Sequence, residues 1–415
     1  MIPPPHGGRL VDRRLSPHQV ERLRAEVGEL PVLTPETDQV LDAAKIAVGA
    51  YSPVEGFMDR ATVDGVLADL TLPDSLAWPI PIFLSPPGKE AAGVIERLRP
   101  GDEVGLRDSD GRFFGVLRFQ EKFPLDRSAI ARSVYGTTDT RHPNVAALRS
   151  TGDTAIAGPV DLLESPRWPF PADELTPAQT RRLFARRGWS NVAGFQTRNL
   201  PHAGHEHLHR LTLERDDIDG LLIHPVIGPL KPGDYRPEVV LEAYRAVLRE
   251  YYPVGRVALA TLTIAMRYAG PRASLFFAIV RKNFGCSHYI VGRDQAGVGG
   301  FYEPYACHAI FDAHPVGIVP LRFREQAYCR SCGQMASERS CPHPEAVRTA
   351  TSQTRVRAAL REGSPLPLEI LRPEVVSILR RTVALEGELG GPVVGPAPGD
   401  PGEALAEIAE RSGAV

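Results

Sequence analysis

The chain is short of several things that would have pointed elsewhere. Five cysteines in 415 residues are too few for a disulfide framework. Neither charge sign is in excess: 48 Lys and Arg against 50 Asp and Glu leave a formal net charge of -2. No overall basic field therefore draws the protein to nucleic acid or to an anionic membrane. No apolar run reaches the roughly 18 to 20 residues that a membrane helix needs. The opening MIPPPHGGRL lacks the basic, apolar, small-residue order of a signal peptide, so the expectation is a cytoplasmic protein. A G-x-x-x-x-G-K-[ST] phosphate loop is missing and only a short tail follows residue 390, which argues against a fused kinase.

What is present suits packed cores: 43% hydrophobic and 24% charged residues, in a length that suggests two or three domains. Residues 1–165 are rich in Pro and Gly, with short β-like runs such as AWPIPIFL (77–84) and RFFGVLRF (112–119) between turn formers. QVLDAAKIAVGAY (39–51) has helical spacing. Residues 166–325 alternate between the two periods. Helices are predicted over 176–188, 206–217, 237–252 and 271–285, with strands over 191–197, 220–228, 256–264 and 287–292. Such alternation predicts a parallel sheet with helices on both faces, binding ligands beyond the carboxyl ends of its strands. Residues 326–390 hold a cysteine cluster and two helical stretches, 355–363 and 373–385. Residues 391–415 are a Gly/Pro-rich tail, expected to be disordered or loosely docked.

Four segments carry candidate chemistry. The first is Gln196-Thr197-Arg198-Asn199-Leu200-Pro201-His202-Ala203-Gly204-His205, after a strand and leading into a helix that starts near His205. The start of a helix presents unpaired N–H groups and partial positive charge to an anion. Arg198 offers a planar fork for an oxyanion. His202 and His205, three apart, face the same way and can donate to nucleotide phosphates. An isolated HxxH is usually a helix start with surface histidines; the preceding Gln, Thr, Arg and Asn reverse those odds. A zinc site is the weaker reading, because H-E-x-x-H spacing is absent.

The second segment is Gly292-Arg293-Asp294-Gln295-Ala296-Gly297, at a strand's carboxyl end, where glycines allow close backbone approach to a ligand. By itself it equally describes a turn with a surface Arg–Asp pair. The third runs from His224 to Asp234. There Lys231 is either a phosphate contact or a solvated lysine, with even weight on the two. In the fourth, Met266-Arg267-Tyr268-Ala269-Gly270-Pro271-Arg272, the arginines either hold the loops of a site or form structural ion pairs.

Together QTRN-x-x-H-x-x-H, HP-x-x-G-x-x-KPGD, MR-x-AGPR and RKNFGCSHYIVGRDxAG resemble the signatures of the ATP sulfurylase family, in the same order. PHGGRLVDR (5–13), GAYSPVEGFM (49–58), YGTTDTRHPNVA (135–146) and the 352–376 stretch resemble family blocks too, so the likeness covers nearly all of residues 1–390. It implies a Rossmann-like nucleotidyltransferase domain, a β-rich PUA-like N-terminal domain and a small α/β zinc-bearing C-terminal domain. It also implies that ATP and sulfate react to give adenosine 5′-phosphosulfate (APS) and pyrophosphate. Gln196, Arg198 and the backbone near Ala296 would hold sulfate, and Thr197, Arg198 and Asn199, with His202 and His205, would be catalytic. ATP would lie against 196–199, His202, His205, Gly292, Arg293, Asp294 and Gln295, with adenine near Phe323 and Arg324. The family more often reads NP-x-HR-x-H and GRDHAG, so Leu200, Pro201, Ala203 and Gln295 are departures; the missing arginine at Ala203 takes one positive charge from the rim. The resemblance also implies a homodimer. It leaves the physiological direction open.

Sulfate has no proton to give up at neutral pH, so catalysis must come from positioning and charge neutralisation. No carboxylate cage is evident, and Mg²⁺ is expected to enter with ATP. Another HxxH nucleotidyltransferase acting on a small acid is disfavoured by the GRDxAG and KPGD blocks. An RNA-binding module is disfavoured by the lack of a basic, aromatic stripe.

Cys329-x2-Cys332-x8-Cys341-Pro-His343 reads as a Cys₃His structural zinc site. Free thiols or a redox pair are the alternative, and His343, close to Cys341, is the weakest ligand of the four. Cys286 and Cys307 read as core residues.

Overall fold

The computed structural model describes residues 1–229, 234–351, 356, 358–359, 362, 364 and 369–386. Lys231, the predicted helix 355–363 and the tail 391–415 lie wholly or mostly outside the described residues. Among the described residues no helix is long and apolar enough to cross a membrane.

Three sheets organise the chain. The first contains β1 (Val32–Leu33), β2 (Gly56–Phe57), β3 (Glu103–Arg107), β4 (Phe113–Arg118), β5 (Glu121–Pro124) and β6 (Thr154–Leu162). Its order is β1-β3-β4-β6-β2, with β5 also on β6, and every pair but β1·β3 is antiparallel. The 77–84 run, read above as β-like, is not a strand. It forms no ladder: its only β-bridges are Thr71–Ala77 and Leu84–Ile156, and single hydrogen bonds such as Trp78 N to Leu70 O and Met58 N to Ile82 O tie it to its neighbours. Pro79 and Pro81 supply no N–H to a ladder, which explains the difference. Trp78 and Ile82 are nonetheless fully buried, so the run contributes to the core and not to a sheet.

The second sheet is parallel throughout. It contains β7 (Val192–Thr197), β8 (Gly220–Ile227), β9 (Val257–Leu259), β10 (Leu262–Thr263), β11 (His288–Val291) and β12 (Val319–Arg322), in the order β10-β8-β7-β11-β12 with β9 on β8. The chain moves outward from β7 through β8 to β10, then crosses back to place β11 on the other side of β7. Loops leaving β7 and β11 therefore diverge from adjacent carboxyl ends, where open α/β sheets form a crevice. The strand predicted over 256–264 is broken in two. Thr261 N donates to Asp173 O at 2.8 Å, and the Thr261 and Thr263 hydroxyls turn to Glu174.

The helices follow the sequence periods closely. Helix Pro177–Arg186 starts with a capping box between Thr176 and Gln179. Helix Ala203–Leu213 begins a little before the position predicted for it, because His202 caps it: His202 Nδ1 accepts from Gly204 N at 3.1 Å and His205 N at 3.4 Å. Helices Ala203–Leu213, Pro237–Tyr251 and Pro373–Glu386 share one apolar cluster with Phe195, Leu221 and Ile223 on one face of the second sheet. Helix Pro271–Asn283 covers the other face and joins the core of the first sheet. The third sheet is small and antiparallel: β13 (Ala327–Cys329), β14 (Gln334–Ala336) and β15 (Arg348–Ala350), in the order β14-β13-β15.

Polar clamps lock the first sheet's unit to the second. Lys45 Nζ is 2.6 Å from Glu174 Oε1 with both side chains 3% exposed, and it lies 4.2 Å above the Trp168 ring. Glu174 also accepts from Thr263 N at 2.9 Å. Arg267 pairs with Asp42, itself bonded by Tyr51 Oη. Arg272 donates to the carbonyls of Val66, Leu67 and Pro79 and to Ser133 Oγ. The MRYAGPR arginines are thus structural clamps between the two units. Breaking a buried pair strands the remaining charge, so Lys45→Met is expected to lower unfolding free energy by about 3 kcal/mol. Urea denaturation measures this; a loss below ~1 kcal/mol would class the pair with exposed ones.

Candidate active site at the carboxyl ends of β7 and β11

The 196–205 segment begins inside β7. Gln196 and Thr197 are its last residues, and Thr197 Oγ1 accepts from Asn199 N at 3.0 Å, which turns the chain out of the sheet. Arg198 projects from this turn. Its guanidinium pairs with Asp234, is 14% exposed, and lies 5.4 Å from the centre of the Tyr268 ring. The 224–234 segment thus meets the first one through Asp234, a residue for which the sequence suggested no role.

His202 and His205 stack with ring centroids 3.8 Å apart. A third ring continues the column: His209, fully buried, lies 6.4 Å beyond His205 and packs on Phe195 at 4.3 Å. The sequence reading missed His209, although positions 202, 205 and 209 share a helical face. Tyr244 Oη lies 3.4 Å from His205 Nδ1 and Tyr252 Oη 2.6 Å from His209 Nδ1. His202 Nδ1 is committed as an acceptor at the helix start, so a neutral His202 carries its proton on Nε2. All three rings are held neutral. Burial drives the His202 and His209 pKa values far down, with neighbouring histidines adding to the effect, and burial lowers His205 to about 4 despite a hydrogen bond to the Leu200 carbonyl.

The GRDQAG loop leaves β11 beside this turn. Asp294 and Ala296 have left-handed backbone, with φ of 51° and 56°. Asp294 N donates to Pro304 O at 2.7 Å, and Gly270 N donates to Ala296 O at 3.1 Å, which ties the loop to the MRYAGPR segment. Gly270 itself needs to be glycine: its φ is 51°, and a Cβ there would lie 2.5 Å from the Tyr302 ring. Gln295 reaches back toward β7: its Nε2 donates to Tyr289 Oη at 2.7 Å, and Tyr289 Oη donates to Gln196 Oε1 at 3.5 Å. Arg293 and Arg324 lie on the rim, paired with Glu325 and Glu338, and Arg324 also covers the Tyr305 ring at 4.5 Å. Gly292 O lies 3.2 Å from His308 Nε2. The two loops thus meet at the point where the strand order reverses, through the contacts from Gln295 to Tyr289 and from Tyr289 to Gln196.

The cysteine cluster is separate from this crevice. Donor atoms of Cys329, Cys332, Cys341 and His343 all lie within 4.8 Å of one another. Cys332 Sγ is 3.8 Å from Cys341 Sγ and 3.3 Å from His343 Nδ1. A tetrahedral centre with metal–sulfur bonds of about 2.3 Å has ligand–ligand edges of ~3.8 Å, so the four residues fit a metal ion. Cys332 N donates to Cys329 Sγ at 3.4 Å, and Gly333 supplies the left-handed turn of the knuckle with φ 67°. Arg348 holds the carbonyls of Cys341 and His343, which explains how the short spacing still brings His343 into the cluster. Cys286 and Cys307 are buried, and burial pushes both thiols up to about 12.

Fold and crevice define an α/β protein of the nucleotidyltransferase type, and comparison with known proteins agrees. The ATP-sulfurylase family model matches residues 173–382, and a PUA-like domain model matches residues 3–165. The sulfate adenylyltransferase of Hyperthermus butylicus is 46% identical over 380 residues, covering 91% of this chain and 96% of its own. That of Symbiobacterium thermophilum is 45% identical over 378 residues, covering 90% and 95%. Among solved structures, a hexameric APS kinase from Thiobacillus denitrificans aligns with a TM-score of 0.71 at 26% identity, over 92% of this chain and 68% of its own. The chain belongs to the ATP sulfurylase family.

The lowered pKa values of these histidines make the fold sensitive to acid. An unfolded histidine takes up its proton near pH 6.5, whereas folded His205 does so only near pH 4. Between these values the unfolded state binds more protons, so stability falls as pH drops. His205→Asn is expected to reduce the slope of unfolding free energy against pH in this window by up to about 1.4 kcal/mol per pH unit. Urea melts at several pH values measure it; an unchanged slope would place the proton uptake on other residues.

Proposed function

We propose that the crevice between β7 and β11 is where this enzyme transfers the adenylyl group of ATP to sulfate, releasing pyrophosphate. Sulfate adenylyltransferase activity is that of its family. The observation that carries the siting is the convergence of the 196–205 and 292–297 loops at the one reversal of strand order. In this reading Gln196, Arg198 and the backbone at Ala296 hold sulfate, and Arg198 aligns it for in-line attack on the α-phosphorus. Thr197 and Asn199 fix the turn that aims Arg198. Asp234 fixes the guanidinium in turn, which limits its freedom before substrate arrives.

His202 and His205 face the leaving pyrophosphate. Neutral His202, with its proton on Nε2, donates a hydrogen bond without needing a base, which suits a nucleophile with no proton to remove. The nucleotide lies along Gly292, Arg293, Asp294 and Gln295, with Arg324 on the adenine side. Mg²⁺ accompanies ATP and offsets phosphate charge when bound. We read the chain as a cytoplasmic homodimer, with Cys329, Cys332, Cys341 and His343 holding a structural zinc ion that cross-links β13, the β13–β14 turn and the loop before β15.

Pyrophosphate release that depends on sulfate is the direct test of the activity. Arg198→Ala is expected to lower kcat/KM for sulfate by at least about 100-fold, because it removes the planar cationic fork. Melting temperature should stay near that of the parent, and retention of more than about a tenth of kcat/KM would remove Arg198 from the sulfate site.

For the metal, the expectation is one zinc per chain in protein purified without a histidine tag. Chelation or Cys332→Ser should lower the melting temperature first and activity only in consequence, since four protein ligands leave no open position. Metal analysis below about half an equivalent, with the thiols titrating freely, would leave them as unligated cysteines.

A further inference from the structure

We infer that Tyr289 and Gln295 are positioning residues that set anion selectivity, by holding the Gln196 side-chain amide with Nε2, and not Oε1, toward the oxyanion. The inference rests on the reading that Gln196 contacts sulfate. Its basis is the relay from Gln295 Nε2 to Tyr289 Oη at 2.7 Å and from Tyr289 Oη to Gln196 Oε1 at 3.5 Å.

Tyr289 is fully buried in β11, beside β7 in the sheet. Burial raises its pKa, so the phenol keeps its one proton. A phenol that receives a hydrogen bond from Gln295 has that proton to give, and Gln196 Oε1 is placed to take it. With Oε1 engaged, the remaining face of the Gln196 amide is its NH₂ group.

The relay can be written in only one other direction. Turning the Gln295 amide over makes it the acceptor, reverses the phenol and leaves Gln196 Oε1 toward the ligand. An anion disfavours that state, because it would meet a carbonyl oxygen. The main chain steadies the Gln295 end: Cys307 Sγ donates to Gln295 O at 2.9 Å.

The chemical consequence is selectivity between oxyanions of the same shape. Sulfate at neutral pH accepts hydrogen bonds at every oxygen and donates none. Orthophosphate keeps at least one O–H and needs an acceptor for it. A Gln196 amide fixed with Nε2 inward offers donors only, whereas a freely turning amide also offers Oε1. Leaving a polar group unpaired in a closed site is costly, so amide orientation discriminates.

The experiment compares the parent with Tyr289→Phe, Gln295→Leu, the double variant and Gln196→Leu in sulfate-dependent pyrophosphate release, with orthophosphate as inhibitor. Tyr289→Phe is expected to raise the sulfate KM roughly three- to tenfold, leave the ATP KM within about twofold and strengthen orthophosphate inhibition. Gln295→Leu should act in the same direction but less, and should add nothing in the Tyr289→Phe background, because both substitutions cut one relay. Sulfate and orthophosphate weakening in parallel would mean general loosening and would overturn the inference. So would an unchanged sulfate KM in Tyr289→Phe while Gln196→Leu raises it; in that case the sulfate site stands and the relay does not. An unchanged sulfate KM in Gln196→Leu would remove the underlying assignment of Gln196 instead.

Discussion

Helix Pro271–Asn283 joins the two large sheets through one shared core. Ten of its residues are buried, including the phenylalanines at 276 and 277 and, unusually, Arg281 and Asn283. One side packs on the parallel sheet, where Gly194 leaves room for Arg281: a Cβ at 194 would lie 2.8 Å from Arg281 Cγ. The other side meets Trp78 and Tyr51, with ring centroids 5.7 Å and 5.1 Å from Phe276. Asn283 Nδ2 donates to the carbonyls of Ala50 and Ser52, and its Oδ1 accepts from His6 N. A helix buried on all sides has to satisfy its polar groups through its neighbours, and these bonds join the first and second sheets across a shared core. The same helix is the crossover that returns the chain to β7's other side, so it also creates the crevice.

In the proposed function the crevice fixes its donors before a ligand arrives. Two backbone turns do most of this: the Thr197–Asn199 turn sets Arg198, and the left-handed residues of the 292–297 loop bring main chain beside it. Below them the histidine column, buried at His202 and His209, is held by hydrogen bonds to Tyr244, Tyr252 and the helix N–H groups. Preorganised dipoles of this kind need not reorganise as charge moves during the reaction.

The third sheet and helix Pro373–Glu386 close the structure around the start of helix Ala203–Leu213. Ala203 N donates to Ile370 O at 2.7 Å, and Arg372 forms a two-pronged pair with Glu206, which is 3% exposed. Gly204 admits Thr351 against the same turn, because a Cβ there would lie 2.6 Å from Thr351 Oγ1. The Cys₃His cluster lies at the turn of the β13–β14 hairpin.

Local pattern was enough for much of this. The helical and strand periods between residues 176 and 292 appear in the fold as alternating elements, because each period reports burial on one face and needs no knowledge of the partner. The QTRN and GRDQAG segments could be recognised because helix starts and glycine turns are local features, and the C-x-x-C knuckle because metal geometry restricts spacing. Long-range chemistry was not legible. Nothing in the sequence distinguishes Arg267 and Arg272, which clamp the two units, from arginines of a site. Asp234, Tyr244 and Tyr289 gain their roles only when β8, helix Pro237–Tyr251 and β11 bring them beside the 196–205 turn. The 77–84 run illustrates the same limit from the other side: its apolar residues announced burial, but ladder pairing depends on N–H groups that its prolines lack. Sequence determined which residues are buried and which turns the backbone can make. Tertiary structure decided which polar groups meet, since that depends on strand order and helix crossing, and these follow from the packing of the whole chain.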